Sequence, residues 1–103
     1  MFGDKRYMTR GIDRKLPMEL ILFIWERIDA LKAISNGNMD YLQVFELKEI
    51  KQADIAENQM IIHRTEAPEY NKSYALCVDE PITDKVYVID SEDHCTMLFA
   101  SEY

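Results

Sequence analysis

Residues 17–37 read PMELILFIWERIDALKAISNG, and this stretch decides the fold. Pro17 suits the first turn of a helix, where its missing N–H is no loss, and Gly37 supplies the left-handed conformation that commonly follows a helix end. Between them, apolar side chains recur at helical spacing and charged ones fill the opposite side. The apolar stripe consists of Leu20, Ile24, Ile28 and Leu31. The pattern predicts one long amphipathic helix from Pro17 to about residue 35.

Short segments rich in aromatic and β-branched residues fill the chain after Asp40 and predict strands. In residues 49–57 the pattern is weakest, and Ile50 and Ile55 suggest a short helical turn at the sheet edge. The strands are expected near 41–48, 58–65, 73–78, 85–90 and 95–101, with a first strand near 5–11. The fold class is therefore α+β, with one long amphipathic helix packed on an antiparallel or mixed sheet of five to six strands.

Alternation within the predicted strands indicates more apolar surface than one helix covers. In the strand near 41–48, Leu42 and Val44 share one face while Phe45 and Leu47 share the other. One helix covers one face of such a sheet, so the remaining surface needs another cover. We therefore expect a protein-interaction module that binds a protein partner or forms a homodimer.

Composition sets the class of protein. A chain of 103 residues fits a single domain, residues 1–103, with room for one site. Its net charge is −7, which opposes non-specific nucleic-acid binding, although Lys5–Lys15 is locally basic and leaves anion or nucleic-acid contact as a third hypothesis. The longest apolar run, Leu20–Trp25, is too short for a membrane helix, and the N-terminus does not resemble a secretory signal. A cytoplasmic protein without membrane contact is expected.

The highest density of potentially reactive side chains occurs in Asp90–Cys95, which reads DSEDHC and lies between two apolar runs. Asp90 and His94, together with His63 and a cysteine, are candidates for a small hydrolase or transferase, the main alternative to a binding module. The same six residues suit the tip of a β-hairpin, because Asp and Ser bond their own backbone in turns. For His63 the structural alternative is an edge-strand imidazole bonded to a neighbouring acid. The sequence therefore does not decide whether the protein is an enzyme, and it favours a non-enzymatic role.

Metal and cofactor chemistry lack a supporting pattern. His63, Cys77, His94 and Cys95 match the content of a structural zinc site, but none of them forms a Cys-x-x-Cys or His-x-x-x-His pair. A loosely held ion at Asp90, Asp93 and His94 is a lesser alternative to a solvated turn. The three glycines are too scattered for a phosphate-binding loop. We expect no metal and no cofactor, and the sequence does not identify a small-molecule ligand.

Several strings together resemble one known family. They are Arg6–Gly11, Asp40–Leu47, His63–Glu66 ahead of Pro68, Val88–Asp90, and Asp93–Leu98 running to Glu102-Tyr103. In this order they are similar to the family called domain of unknown function 960 (DUF960), small proteins of Gram-positive bacteria. The resemblance implies no established activity and no catalytic residues. Its strings single out Arg6, Arg10, His63, Glu66, Asp90 and His94 as polar positions to examine.

Arg6, Arg10 and Glu66 are the candidate binding residues among these. In a strand near 5–11, Arg6 and Arg10 would emerge on one face with Met8 between them. Two guanidinium groups so placed suit a carboxylate or phosphate, and the alternative is pairing with the acidic C-terminal part of the chain.

Overall fold

The computed structural model describes all 103 residues and has two layers, helices on one side and a six-stranded sheet on the other. The elements are β1 (Arg6–Met8), α1 (Arg10–Lys15), α2 (Met18–Ile34), β2 (Leu42–Glu49), β3 (Gln59–Glu66), β4 (Glu69–Leu76), β5 (Asp84–Asp90), β6 (Cys95–Phe99) and a 3₁₀ turn (Ala100–Glu102). The strand order is β1-β6-β5-β2-β3-β4. β1 pairs with β6 in parallel and the other pairs are antiparallel. The predicted α+β class, with one long helix on a mixed sheet, is confirmed.

Helix α2 forms where its sequence predicts it. It begins immediately after Pro17 and ends at Ile34, and the Ser35 N–H still bonds to the Leu31 carbonyl. Asn36 and Gly37 then take positive φ angles of 55° and 83°, the left-handed conformation that stops a helix. The whole predicted stripe is buried.

The core lies between α2 and one face of the sheet, called here the core face. Alternate residues of each strand point into it, so buried and half-buried positions alternate along β3 and β6. Its apolar side chains are Phe45, Leu47, Ile61, Val86, Val88, Met97 and Phe99. The molecule measures 43 × 29 × 20 Å. A thickness of 20 Å equals one helix layer of about 10 Å on one sheet layer of about 10 Å. The opposite face of the sheet therefore has no second layer.

The prediction of a strand over residues 5–11 is wrong in its second half. β1 stops at Met8, and α1 starts at Arg10 because the Thr9 hydroxyl caps the new helix by accepting the Ile12 N–H at 3.2 Å. Ile12 is fully buried and anchors α1 on the core. Arg6 and Arg10 consequently lie in different elements and do not share a strand face.

Three other boundaries differ from the prediction. In residues 49–57 no helix forms, and the expected helical turn is reduced to one turn closed by the Ile55 N–H and the Gln52 carbonyl at 3.3 Å, with Ile55 40% exposed. β4 begins at Glu69 rather than near residue 73, because Ala67-Pro68 alone joins it to β3. β6 ends at Phe99 rather than near 101, since the chain turns there into the 3₁₀ segment.

A carboxylate ties the end of the chain to α1. One oxygen of Glu102 accepts the Thr9 hydroxyl and the Phe99 N–H, both at 2.8 Å. The carboxylate sits over Gly11 so closely that a Cβ there would lie 2.6 Å from its other oxygen. Gly11 is therefore the residue that leaves room for this contact.

We expect Gly11→Ala to lower the free energy of unfolding by about 1–2 kcal/mol, because the methyl group pushes the Glu102 carboxylate away from its two donors. In a Glu102→Ala background the same change should stabilise the protein by up to about 1 kcal/mol, since alanine favours helix over glycine. Urea unfolding of the four chains measures this coupling. Equal effects of Gly11→Ala in both backgrounds would contradict the contact.

Candidate functional site

His63 is fully buried in β3, on the core face beneath α2. Its ring stacks on Phe45 at 4.2 Å between centroids and meets Tyr70 edge-on at 5.1 Å. Its Nε2 lies 2.6 Å from the Gln43 side-chain oxygen. The interpretation as an edge-strand imidazole bonded to an acid is wrong, because β4 covers β3 on that side and the partner is an amide.

The surroundings of His63 keep its ring neutral. Burial lowers the pKa of His63 to about 4, and the positive charge of Arg27 adds to the effect. The amide nitrogen of Gln43 donates to the Asp40 carbonyl at 2.8 Å, so the amide oxygen is left to accept from the His63 Nε2–H. Nδ1 then carries no proton and has no partner. A ring closed off from solvent has no access to a substrate proton.

Asp90 and His94 lie at a different place in the sheet. Strand pairing aligns His63 with Val86, two strands away, and Asp90 lies four residues further along β5. The spacing between strands and the rise per residue then place His63 and Asp90 ~16 Å apart. The Asp90 carboxylate accepts the Phe2 N–H at 2.8 Å and so holds a fully buried Phe2 in the core. His94 bonds to the exposed Asp93 at 2.8 Å. The structure does not bring the three candidate catalytic residues together.

The surroundings of neither cysteine favour a reactive thiolate. Cys95 is fully buried as the first residue of β6, and burial raises the pKa of its thiol, which disfavours the thiolate. Cys77 is exposed, and its sulfur lies 3.4 Å from the Ala56 carbonyl. No group of three or more His, Cys, Asp or Glu side chains converges in a way that would hold a metal ion.

The three predicted binding residues are also apart. Arg6 forms an ion pair with Asp29 of α2 and lies over the Trp25 ring at 4.8 Å, so its acidic partner comes from the helix and not from the acidic C-terminal part of the chain. Arg10 is exposed at the start of α1. Glu66 is exposed at the end of β3, where its backbone N–H bonds to Asp40. Their role in binding stays a prediction.

Asp40 stabilises the fold through its carboxylate, although its sequence context does not mark it as a candidate site residue. One carboxylate oxygen accepts the Leu42 N–H at 3.0 Å, and the other accepts the N–H groups of Glu66 and Ala67 at 3.2 and 2.9 Å. Burial opposes ionisation of Asp40, but these three donors outweigh it and the pKa falls below its usual value. An aspartate two residues before a strand is a familiar signal for the Leu42 contact. The contacts of Asp40 with the β3–β4 turn cannot be predicted from neighbouring residues, because Glu66 and Ala67 are distant in sequence.

The face of the sheet opposite the helices is called here the open face. At its centre, half-buried apolar side chains adjoin across three neighbouring strands around Val44, which is 7% exposed. This apolar zone consists of Leu42, Val44, Tyr87, Ile89 and Leu98. Beside it, Glu46 pairs with Arg64 at 3.1 Å and with Lys85 at 3.8 Å. The pairs place a charged strip next to the apolar zone.

The sequence matches the model of a known protein family. A family model described as "Staphylococcal protein of unknown function (DUF960)" matches residues 5–102. The chain belongs to the DUF960 family. The suggested resemblance is therefore confirmed, and the family carries no activity to transfer. No curated protein matches the sequence.

A solved structure shares the fold of this DUF960 chain. It is titled "Crystal structure of the protein of unknown function from Enterococcus faecalis", with a TM-score of 0.75 and 20% sequence identity. The match covers 100% of this chain and 98% of that one. At this identity the likeness concerns the fold, and the function of that protein is equally unknown. None of the helices here has the length and apolar character needed to cross a lipid bilayer.

The buried neutral His63 predicts a pH dependence. Because its folded pKa of about 4 lies below the unfolded value, protonation favours the unfolded chain. Its contribution to stability is complete above about pH 6.5 and is lost as the pH falls towards 4, by about 3 kcal/mol in all. Urea unfolding at several pH values measures the loss, and His63→Gln should remove most of it. An unchanged profile in His63→Gln would contradict the assignment.

Asp90 and its neighbour Asp93 offer a matched pair. We expect Asp90→Ala to lower the free energy of unfolding by about 1–3 kcal/mol, because the Phe2 N–H loses its acceptor near the core. Asp93→Ala should change stability by less than about 0.5 kcal/mol, since that side chain is exposed. Thermal and urea unfolding of both variants provide the measurement. Equal stability of the two variants would exclude the Phe2 contact as a significant tether.

Proposed function

We propose that this chain is a small protein-interaction module that associates with a second copy of itself through the open face of its sheet. The observation that carries the proposal is the two-layer packing, in which helices cover one face and leave the half-buried apolar zone of the other without a helix over it. Exposed apolar clusters of this kind commonly mark protein-binding surfaces.

The size of the open face supports a second copy as the occupant. Six strands of three to eight residues, spaced about 4.8 Å apart, give a face of roughly 600 Å². Two copies packed face to face would then bury about 1,000 Å² or more, the size at which a biological interface begins. Stacked sheets pack in this way in β-sandwiches, with interdigitated side chains about 10 Å apart.

Charge also favours self-association at this face. The whole chain carries −7, so two copies repel each other over most of their surfaces. Strand register places equal numbers of acids and bases on the open face: Glu46, Glu66 and Glu69 against Lys48, Arg64 and Lys85. Its net charge is therefore zero. Two such faces approach without net repulsion, and a two-fold axis would let the acids of one meet the bases of the other.

The rim of the open face adds side chains suited to contact. Tyr7 and Tyr41 are 57% and 54% exposed, and Tyr103 meets Tyr87 edge-on at 5.6 Å. Tyrosine supplies a large apolar ring with a polar tip, so it is favoured on surfaces that are solvated in the free protein and buried in a complex. A cytoplasmic location fits this proposal.

Sedimentation velocity tests the dimer. We expect the wild-type chain to show a concentration-dependent dimer and Ile89→Lys to raise its dissociation constant about tenfold or more, because an unpaired lysine would enter the apolar zone. Leu22→Lys is the matched control, since Leu22 is 54% exposed on the helix layer. Circular dichroism checks that both variants fold. A wild-type chain that stays monomeric at the highest concentrations measured, or a dimer equally weakened by both variants, would overturn the proposal.

A further inference from the structure

We infer that the outer edge of β4, with the recess beside it, binds an extended basic peptide segment of another protein by strand addition. This surface lies at the sheet edge and adjoins the open face at Glu69. The inference goes beyond the proposed dimer and stands or falls by a different experiment.

β4 is an unblocked edge strand. All eight of its residues pair with β3, from Glu66↔Glu69 to Gln59↔Leu76, and no strand lies on its other side. Edge strands are usually protected by a proline, a bulge or a charge that points into the edge. β4 contains no proline, and Lys72 extends over the Tyr74 ring, with its Nζ 5.7 Å from the centroid. The opposite edge, β1, has only three residues. β4 is thus the edge that can accept another strand.

A recess of about 230 Å³ lies where β4 begins, between the β3–β4 turn and the end of α2. Leu31, Ile34 and Tyr70 form apolar walls, and Ile34 is 76% exposed. Ser35 also lines the recess, and its hydroxyl is buried without a hydrogen-bond partner. In an added strand, alternate side chains face the helix layer. The one beside Tyr70 would enter this recess.

The charge around the edge selects a basic segment. Residues 66–80 contain four acids and one lysine, and the carboxylates of Asp40 and Glu69 border the recess. A lysine or arginine fits both properties of the recess, because its methylene stem packs on apolar walls while its cationic end reaches a carboxylate. The partner chemistry is therefore an extended segment in which Lys or Arg alternates with β-branched residues.

Selection from a random 12-residue peptide library displayed on phage tests the inference on the full-length chain. Each round is scored in parallel on wild type, Ile34→Arg and Leu22→Arg. The first variant places a cation at the mouth of the recess, whereas the second adds the same charge elsewhere on α2. Both replaced residues are more than half exposed, so both variants are expected to fold, which thermal unfolding checks.

We expect enriched peptides to be basic and proline-free in their centre. Ile34→Arg should raise their dissociation constants about tenfold or more, and Leu22→Arg by less than about threefold. Bound peptide should slow amide hydrogen exchange along β4, and Ile89→Lys should bind as wild type does. Failure to enrich peptides over the Ile34→Arg chain, enrichment of acidic peptides, or equal loss in both arginine variants would overturn the inference. So would a dimer that depends on Ile34, because the edge would then serve a second copy.

Discussion

A six-stranded sheet has two faces, and this chain has helical surface for only one of them. α2 places its apolar stripe on the core face, and α1 covers the region near β6 with Ile12. The molecule is consequently 20 Å thick, two layers and no more. The open face and its apolar zone around Val44 follow from that one-sided packing, while the free edge at β4 follows from the strand order. In a protein of this size, the shortage of helical cover leaves surface that another chain can use.

Two residues that look reactive in the sequence, His63 and Asp90, make contacts that stabilise the fold. A polar group under a helix layer is costly unless it is paired. His63 meets that demand through Gln43, which in turn donates to the Asp40 carbonyl. Asp90 similarly supplies an acceptor for the Phe2 N–H. The same burial that makes these contacts valuable lowers the pKa of His63 and removes it from solvent, so the ring stabilises one side of the core and stays neutral.

The two proposed interaction surfaces differ in charge, and this difference separates their partners. The open face carries as many acids as bases and suits another copy of an acidic protein. The edge of β4, bordered by Glu69 and the acids near residue 80, suits a basic segment. Both surfaces can be used at once, because one lies on a face of the sheet and the other at its margin. Since the DUF960 family and its solved structural neighbour have no known function, these surfaces are the strongest guide to function.

Local patterns in the sequence determined α2, the α+β class and the existence of all six strands, although β1 ends earlier and β4 begins earlier than expected. Helical periodicity between Pro17 and Gly37 and strand alternation are properties of neighbouring residues, so they can be read without the fold. Tertiary structure alone decided the strand order, the parallel pairing of β1 with β6, and the change from strand to helix at Thr9. It also decided that His63 and His94 lie apart. These outcomes depend on contacts between residues distant in sequence, such as Thr9 with Glu102, which no local pattern encodes.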